Sequence, residues 1–174
     1  RYTVKSALEL VDNRPISRAP PPESEDLQLT KNFDGRIRKL AREVTRKYSG
    51  SYAKAIALET HLRSEYKYSF ASITQSQGRT PLSKFLFVDK QGHCEYFASA
   101  MTIMLRSLGI PARLVTGFSV NNKNPLTGYF EIRAIDGHAW TEAWIDGRWV
   151  TFEPTAYYQI PSSHESVFAA EQIS

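Results

Sequence analysis

The chain contains a single cysteine, Cys94, and the residues around it predict the start of a helix. Gly92 breaks the chain just before it, and apolar side chains then recur at helical spacing through Phe97 and Met101. Gly109 supplies a left-handed stop at the other end. A thiol at a helix N-terminus faces unpaired backbone N–H groups and the positive end of the helix dipole, which favour a thiolate. Cys94 is therefore a candidate nucleophile; the alternative is a buried, inert cysteine that packs as a small apolar side chain.

A predicted hairpin near the C-terminal end carries a second group of reactive side chains. Asp146-Gly147 is typical of a two-residue type I′ turn. This turn fixes the register of its strands, so that Trp140 lies opposite Glu153 and His138 lies diagonal to Glu153 on the same face. A carboxylate there could fix the tautomer of the imidazole, as a general base requires. The alternative is that His138 and Glu153 are unrelated sheet residues, and a bulge in either strand would shift the register.

The elements that must position these side chains change in periodicity along the chain. Helical spacing predicts two helices, at about 34–48 and 52–65, ahead of the cysteine helix. The alternation of apolar and polar residues then predicts four strands, at 112–120, 129–135, 138–145 and 148–153. Helices followed by antiparallel strands define an α+β fold class.

The two ends of the chain are predicted to lie outside the core. Residues 1–30 form an N-terminal arm and a strap, and the strap from Arg18 to Asp26 is too rich in proline and charge to hold regular structure. Residues 31–160 form a single domain, and residues 161–174 form a C-terminal tail.

Composition narrows the classes of function. With 174 residues, 41% of them hydrophobic, the chain is long enough for one domain with a sizeable core. The net charge is +4, and the densest basic run, 36–47, shares its helix with an apolar stripe. This pattern indicates a solvated helix face and not a nucleic-acid site. One cysteine excludes an intramolecular disulfide, and the four histidines lack the spacing of metal ligands. No apolar run reaches the ~18 residues of a membrane span.

Three sequence blocks, in this order, resemble the transglutaminase-like superfamily, most closely its bacterial membrane-anchored branch. They are GHCEYFASAMTIMLRSLGIPARLVTGF around Cys94, DGHAWTEAWI around His138 and WVTFEPT around Glu153. The resemblance implies a papain-like fold with a triad of cysteine, histidine and acid. It also implies a periplasmic or other extracytoplasmic domain of a larger, membrane-anchored protein. The family usually has Asp where this chain has Glu153, and the additional methylene moves the carboxylate.

Other acids and bases near the predicted site are weaker candidates. Asp136 precedes His138 by two residues and would have to fold back to reach its ring. Glu142 shares the face but lies further along the strand, and His164 lies in the tail with no supporting pattern. His61 has no partner at helical spacing, so a structural role is expected for it.

Two further residues are assigned to the substrate-binding site. Trp140 shares the face of His138 and directly opposes Glu153, so it is expected to shield the site, although plain sheet packing is an equal alternative. His93 adjoins Cys94, but neighbouring side chains diverge at a helix start. It is therefore a poor base that could still contribute positive charge near the thiol.

The sequence therefore predicts cysteine-dependent acyl transfer, as in a transglutaminase or a cysteine protease. The Cys94 thiolate attacks a carboxamide, His138 accepts the thiol proton and later protonates the departing amine, and Glu153 orients His138. The backbone N–H of Cys94 is an oxyanion donor. The thioester then passes to an amine or to water, so transamidation and hydrolysis both stay open. The amide donor is a protein or peptide, and no metal or organic cofactor is required. A second hypothesis is a non-catalytic binding module that keeps the fold.

Overall fold

Helices and strands segregate along the chain as an α+β fold requires. The computed structural model describes residues 20–70, 81–119, 124–130, 132 and 136–156. The helices are α1 (Gly35–Thr45), α2 (Ser51–Glu65), α3 (Pro81–Lys84), which runs into a π-helical turn (Phe85–Asp89), and α4 (Cys94–Ser107). The strands are β1 (Lys67–Tyr68), β2 (Gln91–Gly92), β3 (Ala112–Phe118), β4 (Gly137–Ile145) and β5 (Arg148–Phe152). β3, β4 and β5 form an antiparallel sheet in that order, against which α4 packs.

The two N-terminal helices begin where the local sequence provides a start signal. The carboxylate of Asp34 accepts the backbone N–H of Arg36, which caps α1. The chain enters α2 through Gly50, whose φ of +81° suits glycine. Buried side chains on one stripe of each helix, among them Ile37 and Leu58, then pack into the core. Both predicted helices are confirmed, with α1 ending three residues earlier than expected.

The cysteine helix forms the centre of the core. Its apolar stripe, predicted from the spacing of Phe97 and Met101, is fully buried. The facing residues of β4 alternate between buried and half-buried along the strand, as expected where one sheet face packs on a helix. The helix ends at Ser107, and Gly109 takes the left-handed conformation with φ +79°.

The β4–β5 hairpin has the predicted turn and register. Asp146 and Gly147 both have positive φ, 51° and 80°, as a type I′ turn requires. The strands pair from Ile145↔Arg148 to Thr141↔Phe152 without a bulge. The ladder ends there, so Glu153 lies one residue beyond β5 instead of within it.

Several segments differ from the sequence-based expectation. Within the strap, Ser24–Leu27 forms a turn of 3₁₀ helix, closed by reciprocal hydrogen bonds between Glu23 and Asp26, so the prediction of no regular structure there is wrong. The parallel pairing of β1 with β2 was not predicted from sequence. Of the strand expected at 129–135, only 129, 130 and 132 are described, and Phe130 forms an isolated bridge. The arm to residue 19 and the tail from 161 lie outside the described residues.

The strap and the residues just after it are tied to the sheet and to α4 by hydrogen bonds to their backbone. Trp149 donates its indole N–H to the carbonyl of Pro20 at 2.9 Å, and Arg106 donates to the carbonyl of Gln28 at 3.1 Å. Within the described ranges, no helix is both long and apolar enough to cross a membrane.

Candidate active site

Cys94 is the first residue of α4, and the backbone around it fixes the start of the helix. His93 is extended (φ −92°, ψ 176°) and occupies the N-cap position. Gly92 precedes His93 at a position with little room for a side chain. A Cβ there would lie 3.0–3.1 Å from the side chains of Tyr96 and Phe85. The carbonyl of Gly92 accepts the N–H of Ser69, which ties this segment to the strand that follows α2. The predicted helix-start position of Cys94 is confirmed.

The thiol of Cys94 lies in a small apolar contact between α4 and β4. Cys94 is 8% exposed and packs with Ala98 of its own helix and Ala139 of β4, and Tyr68 covers them. As the first helical residue, Cys94 carries a backbone N–H that has no acceptor within the helix. The site therefore combines a shielded thiol with an N–H donor at the same residue.

His138, the second residue of β4, lies between Cys94 and Glu153. Its Nε2 is 2.5 Å from Oε2 of Glu153, and the Cys94 thiol is the ring's other hydrogen-bond partner. Burial opposes protonation of His138, but the hydrogen bonds to Cys94 and Glu153 outweigh it and raise its pKa to about 9. An imidazolium is thus favoured at neutral pH.

Glu153 is held by hydrogen bonds at both its side chain and its backbone. Its Oε1 accepts the backbone N–H of Thr155 at 3.0 Å, while Oε2 meets His138. Burial opposes its ionisation, but the hydrogen bond with His138 prevails and lowers the pKa of Glu153. Its own backbone N–H donates to Oε1 of Glu59 at 2.7 Å. The predicted diagonal pair of His138 and Glu153 is therefore a direct contact, with Glu in place of the usual Asp.

Glu59 is the residue of this cluster that sequence reasoning missed. It lies on α2, half-buried, 94 residues before Glu153 in the chain. Burial is the main cause that raises its pKa, and the charge of Glu153 adds to it. Nothing in the spacing of α2 marks Glu59, because its partner is a backbone N–H at the end of a distant strand.

Trp140 lies beside His138, as the shared face predicts. The two rings stack with centroids 6.3 Å apart and an interplanar angle of 27°. Opposite His138 on β3 stands Gly117, and a Cβ there would lie 2.8 Å from the ring of Trp140. The absence of a side chain at Gly117 thus makes room for the indole.

The other sequence-based candidates have contacts besides the His138–Glu153 pair. Asp136 is buried, and its carbonyl accepts the N–H of Ser119. Glu142 is bound by the guanidinium of Arg113, with Nη2–Oε2 at 2.6 Å. The ring of His93 packs edge-on against Tyr96, with centroids 4.8 Å apart.

Two histidines remain among the sequence-based candidates. His61, on α2, packs edge-on against Tyr66 at the end of that helix. His164 lies outside the described residues. In the part of the chain that the structure describes, no group of three or more His, Cys, Asp or Glu residues could hold a metal ion.

An α+β domain in which a helix-start cysteine faces a strand histidine and a following carboxylate defines the papain-like class of folds. The profile of the Transglutaminase-like superfamily matches residues 38–154 and so spans α1 to the acid. The chain belongs to this superfamily.

Relatives of known sequence and structure agree with this assignment. The chain is 34% identical over 149 residues, 80% of its length, to the uncharacterised protein YebA of Bacillus subtilis. It is 32% identical over 136 residues, 78% of its length, to a protein-glutamine gamma-glutamyltransferase of Pseudomonas aeruginosa. The chain spans a fifth (20%) of the length of each of these relatives.

A solved structure gives the same fold. The periplasmic domain of TgpA from Pseudomonas aeruginosa, bound to ethylmercury, superposes with a TM-score of 0.67 at 32% identity. The superposition covers 74% of this chain and 46% of that domain.

Proposed function

We propose that this domain catalyses acyl transfer from carboxamide donors through a thioester on Cys94. The observation that carries the proposal is the position of His138, whose ring is hydrogen-bonded to the Cys94 thiol on one side and to Glu153 on the other. A thiol beside an imidazole that is itself oriented by a third group is the arrangement of an activated nucleophile.

Each group has a defined role in the proposed reaction. With the proton on His138, the Cys94 thiolate attacks the carbonyl carbon of the amide, and the backbone N–H of Cys94 donates to the oxyanion that forms. The imidazolium then gives its proton to the departing amine, and a thioester remains on Sγ. An incoming amine or water next loses a proton to neutral His138 and attacks the thioester, which releases the thiolate. Glu153 keeps the ring oriented through both halves of the cycle.

The donor proposed is the side-chain carboxamide of glutamine in a protein or peptide, with an amine as the acceptor. The name of the Pseudomonas aeruginosa relative, a protein-glutamine gamma-glutamyltransferase, supports this donor. Trp140 and His93 flank the two central residues and are proposed to line the substrate site. Because the superposed TgpA domain is periplasmic, we also propose an extracytoplasmic location for this one.

The first experiment tests whether His138 supports a thiolate. Alkylation by iodoacetamide is followed by intact mass at about pH 6 and about pH 10 in the wild type and in His138→Gln. An isolated thiol with a pKa of ~8.5 reacts roughly 300-fold more slowly at the lower pH. We expect the wild type to lose much less than this, and His138→Gln to approach it. Equal pH dependence in the two proteins would contradict the proposed function.

The second experiment tests acyl transfer itself. The protein is incubated with an N-protected Gln-Gly dipeptide, and the mass of the intact chain is followed. We expect a Cys94 adduct with loss of ammonia, and its transfer to hydroxylamine when that amine is added. A wild type that alkylates like a free thiol and forms no adduct would indicate a binding module with the same fold.

A further inference from the structure

One hydrogen bond joins the acid of the site to a helix far away in sequence. The backbone N–H of Glu153 donates to Oε1 of Glu59 at 2.7 Å, and Glu59 is half-buried on α2. At this point of β5 the ladder with β4 has already ended, at Thr141↔Phe152. Hydrogen-bonded positions alternate along an antiparallel ladder, and position 153 falls where the N–H points away from β4. The carboxylate of Glu59 thus takes an N–H that the β4–β5 ladder leaves unpaired.

The neighbouring residues offer Glu153 little other backbone support. Pro154 follows directly and has no N–H to donate. Next in the chain, Thr155 uses its N–H on the Glu153 side chain itself. A glutamate side chain also has one more rotatable bond than aspartate, so its carboxylate depends more on a fixed backbone. Glu59 supplies that fixed point.

The charge around this bond is consistent with such a role. Arg63, one turn along α2, is the cation that acts on Glu59, and Glu153 is the anion that acts on it. The bond therefore holds the carboxylate of Glu59 near a residue that carries a second carboxylate. The repulsion between these two negative charges has an electrostatic cost. A neutral acceptor at position 59 would make the same hydrogen bond without that cost.

We propose that Glu59 is a positioning residue for the acid: by holding the backbone of Glu153, it keeps the carboxylate on Nε2 of His138. This inference rests on the proposed function, because it concerns how readily His138 supports a Cys94 thiolate. What matters is the acceptor oxygen and its reach, not the negative charge.

The test uses the ratio of iodoacetamide alkylation rates at about pH 6 and about pH 10. The ratio reports support of the thiolate by His138. It is measured where circular dichroism shows each variant to be folded at both pH values, because an unfolded chain would alkylate with the ratio of a free thiol. Glu59→Ala removes the acceptor, and Glu59→Asp withdraws it by one methylene. Glu59→Gln keeps an acceptor oxygen at the same reach without the charge. Glu65→Ala, at an exposed glutamate of the same helix, is the matched control.

We expect Glu59→Ala and Glu59→Asp to lower the ratio about three- to tenfold, the range of one typical intramolecular hydrogen bond. Glu59→Gln and Glu65→Ala should stay within about twofold of the wild type. Should Glu59→Ala unfold, the Asp and Gln variants still give the comparison.

Two results would overturn the inference. If Ala, Asp and Gln at position 59 all keep the wild-type ratio, the bond does not position the acid. If Gln falls as far as Ala, the charge and not the acceptor matters. Failure of the proposed function looks different: the wild-type ratio would already equal that of His138→Gln, whatever stands at position 59.

Discussion

Through Cys94, the ring of His138 meets a buried contact between α4 and β4, whereas through Nε2 it meets a carboxylate just beyond the end of a short strand. The first contact is made by two long regular elements, with Ala98 and Ala139 packed around Cys94. The second depends on hydrogen bonds: the side chain of Glu153 is 38% exposed, against 8% for His138.

A pair of buried hydroxyl groups strengthens the contact between α4 and β4 beside Cys94. Thr141, three residues after His138, donates to the carbonyl of Ala98 at 2.9 Å, one turn after Cys94. Its hydroxyl also lies 3.3 Å from that of Thr102. The nucleophile and base are therefore brought together by the same contacts that build the core. Substitutions in the α4–β4 contact should therefore mainly change stability, and substitutions around Glu153 should mainly change the reactivity of the thiol.

The largest effect is expected from Cys94→Ser. The substitution barely changes side-chain volume, but it removes the nucleophile, so adduct formation with the Gln-Gly dipeptide should fall to background. The melting temperature should change by only a few degrees. A variant that unfolds, in a protein whose wild type also fails to label, would instead identify Cys94 as a core residue.

Glu153→Gln should follow. A neutral amide can present the wrong group to Nε2 and no longer stabilises the imidazolium, so the acylation rate should fall while the fold is kept. We expect a loss smaller than the ~10⁴ that neutralising the acid costs in a serine-protease triad, because a cysteine keeps some thiolate unaided.

Glu153→Asp sharpens the same test. It restores the residue usual in the superfamily but withdraws the carboxylate by one methylene. A large loss in rate would mean that the backbone held by Glu59 has adapted to glutamate. If neither substitution changes the acylation rate, Glu153 is not the third member of the site, and Asp136 is the next residue to replace.

The protonation of His138 should appear in the stability of the domain. Its pKa is raised from 6.5 to about 9 on folding, so it contributes stability in full below pH 6.5. That contribution is lost as the pH rises from there to about 9. Unfolding free energies from urea titrations should fall over this window in the wild type more than in His138→Gln. Parallel curves for the two proteins would show that His138 is not protonated in the folded state.

Thr141→Val tests the contact between α4 and β4, because valine is similar in volume to threonine but lacks the hydroxyl. The loss of the hydrogen bond to Ala98 should lower the free energy of unfolding by about 1–2 kcal/mol. The ratio of alkylation rates at the two pH values should stay within about twofold of the wild type. A fall in that ratio as large as the three- to tenfold expected for Glu59→Ala would contradict the distinction between the α4–β4 contact and the surroundings of Glu153.

The sequence was most informative where the determinants are local. The helix start at Cys94 follows from Gly92 and the apolar stripe, and the hairpin register follows from Asp146-Gly147. Together they are enough to predict that His138 and Glu153 are neighbours.

The contacts that were missed join distant parts of the chain. The bond from Glu153 to Glu59 depends on how α2 packs beside the sheet, and the pairing of β1 with β2 involves two residues on each strand. Neither leaves a periodic signal.

The space beside His138 is shared between two strands: Gly117 on β3 contributes no side chain, and Trp140 on β4 contributes an indole. Because a Cβ at position 117 would meet that ring at 2.8 Å, the two positions are energetically coupled. Enlarging position 117 alone should cost stability, and a smaller residue at position 140 in the same protein should recover part of that cost. The double change should therefore cost less than the sum of the two single changes. The pair is therefore expected to change together when the domain diverges, so that the width of the site evolves in paired steps.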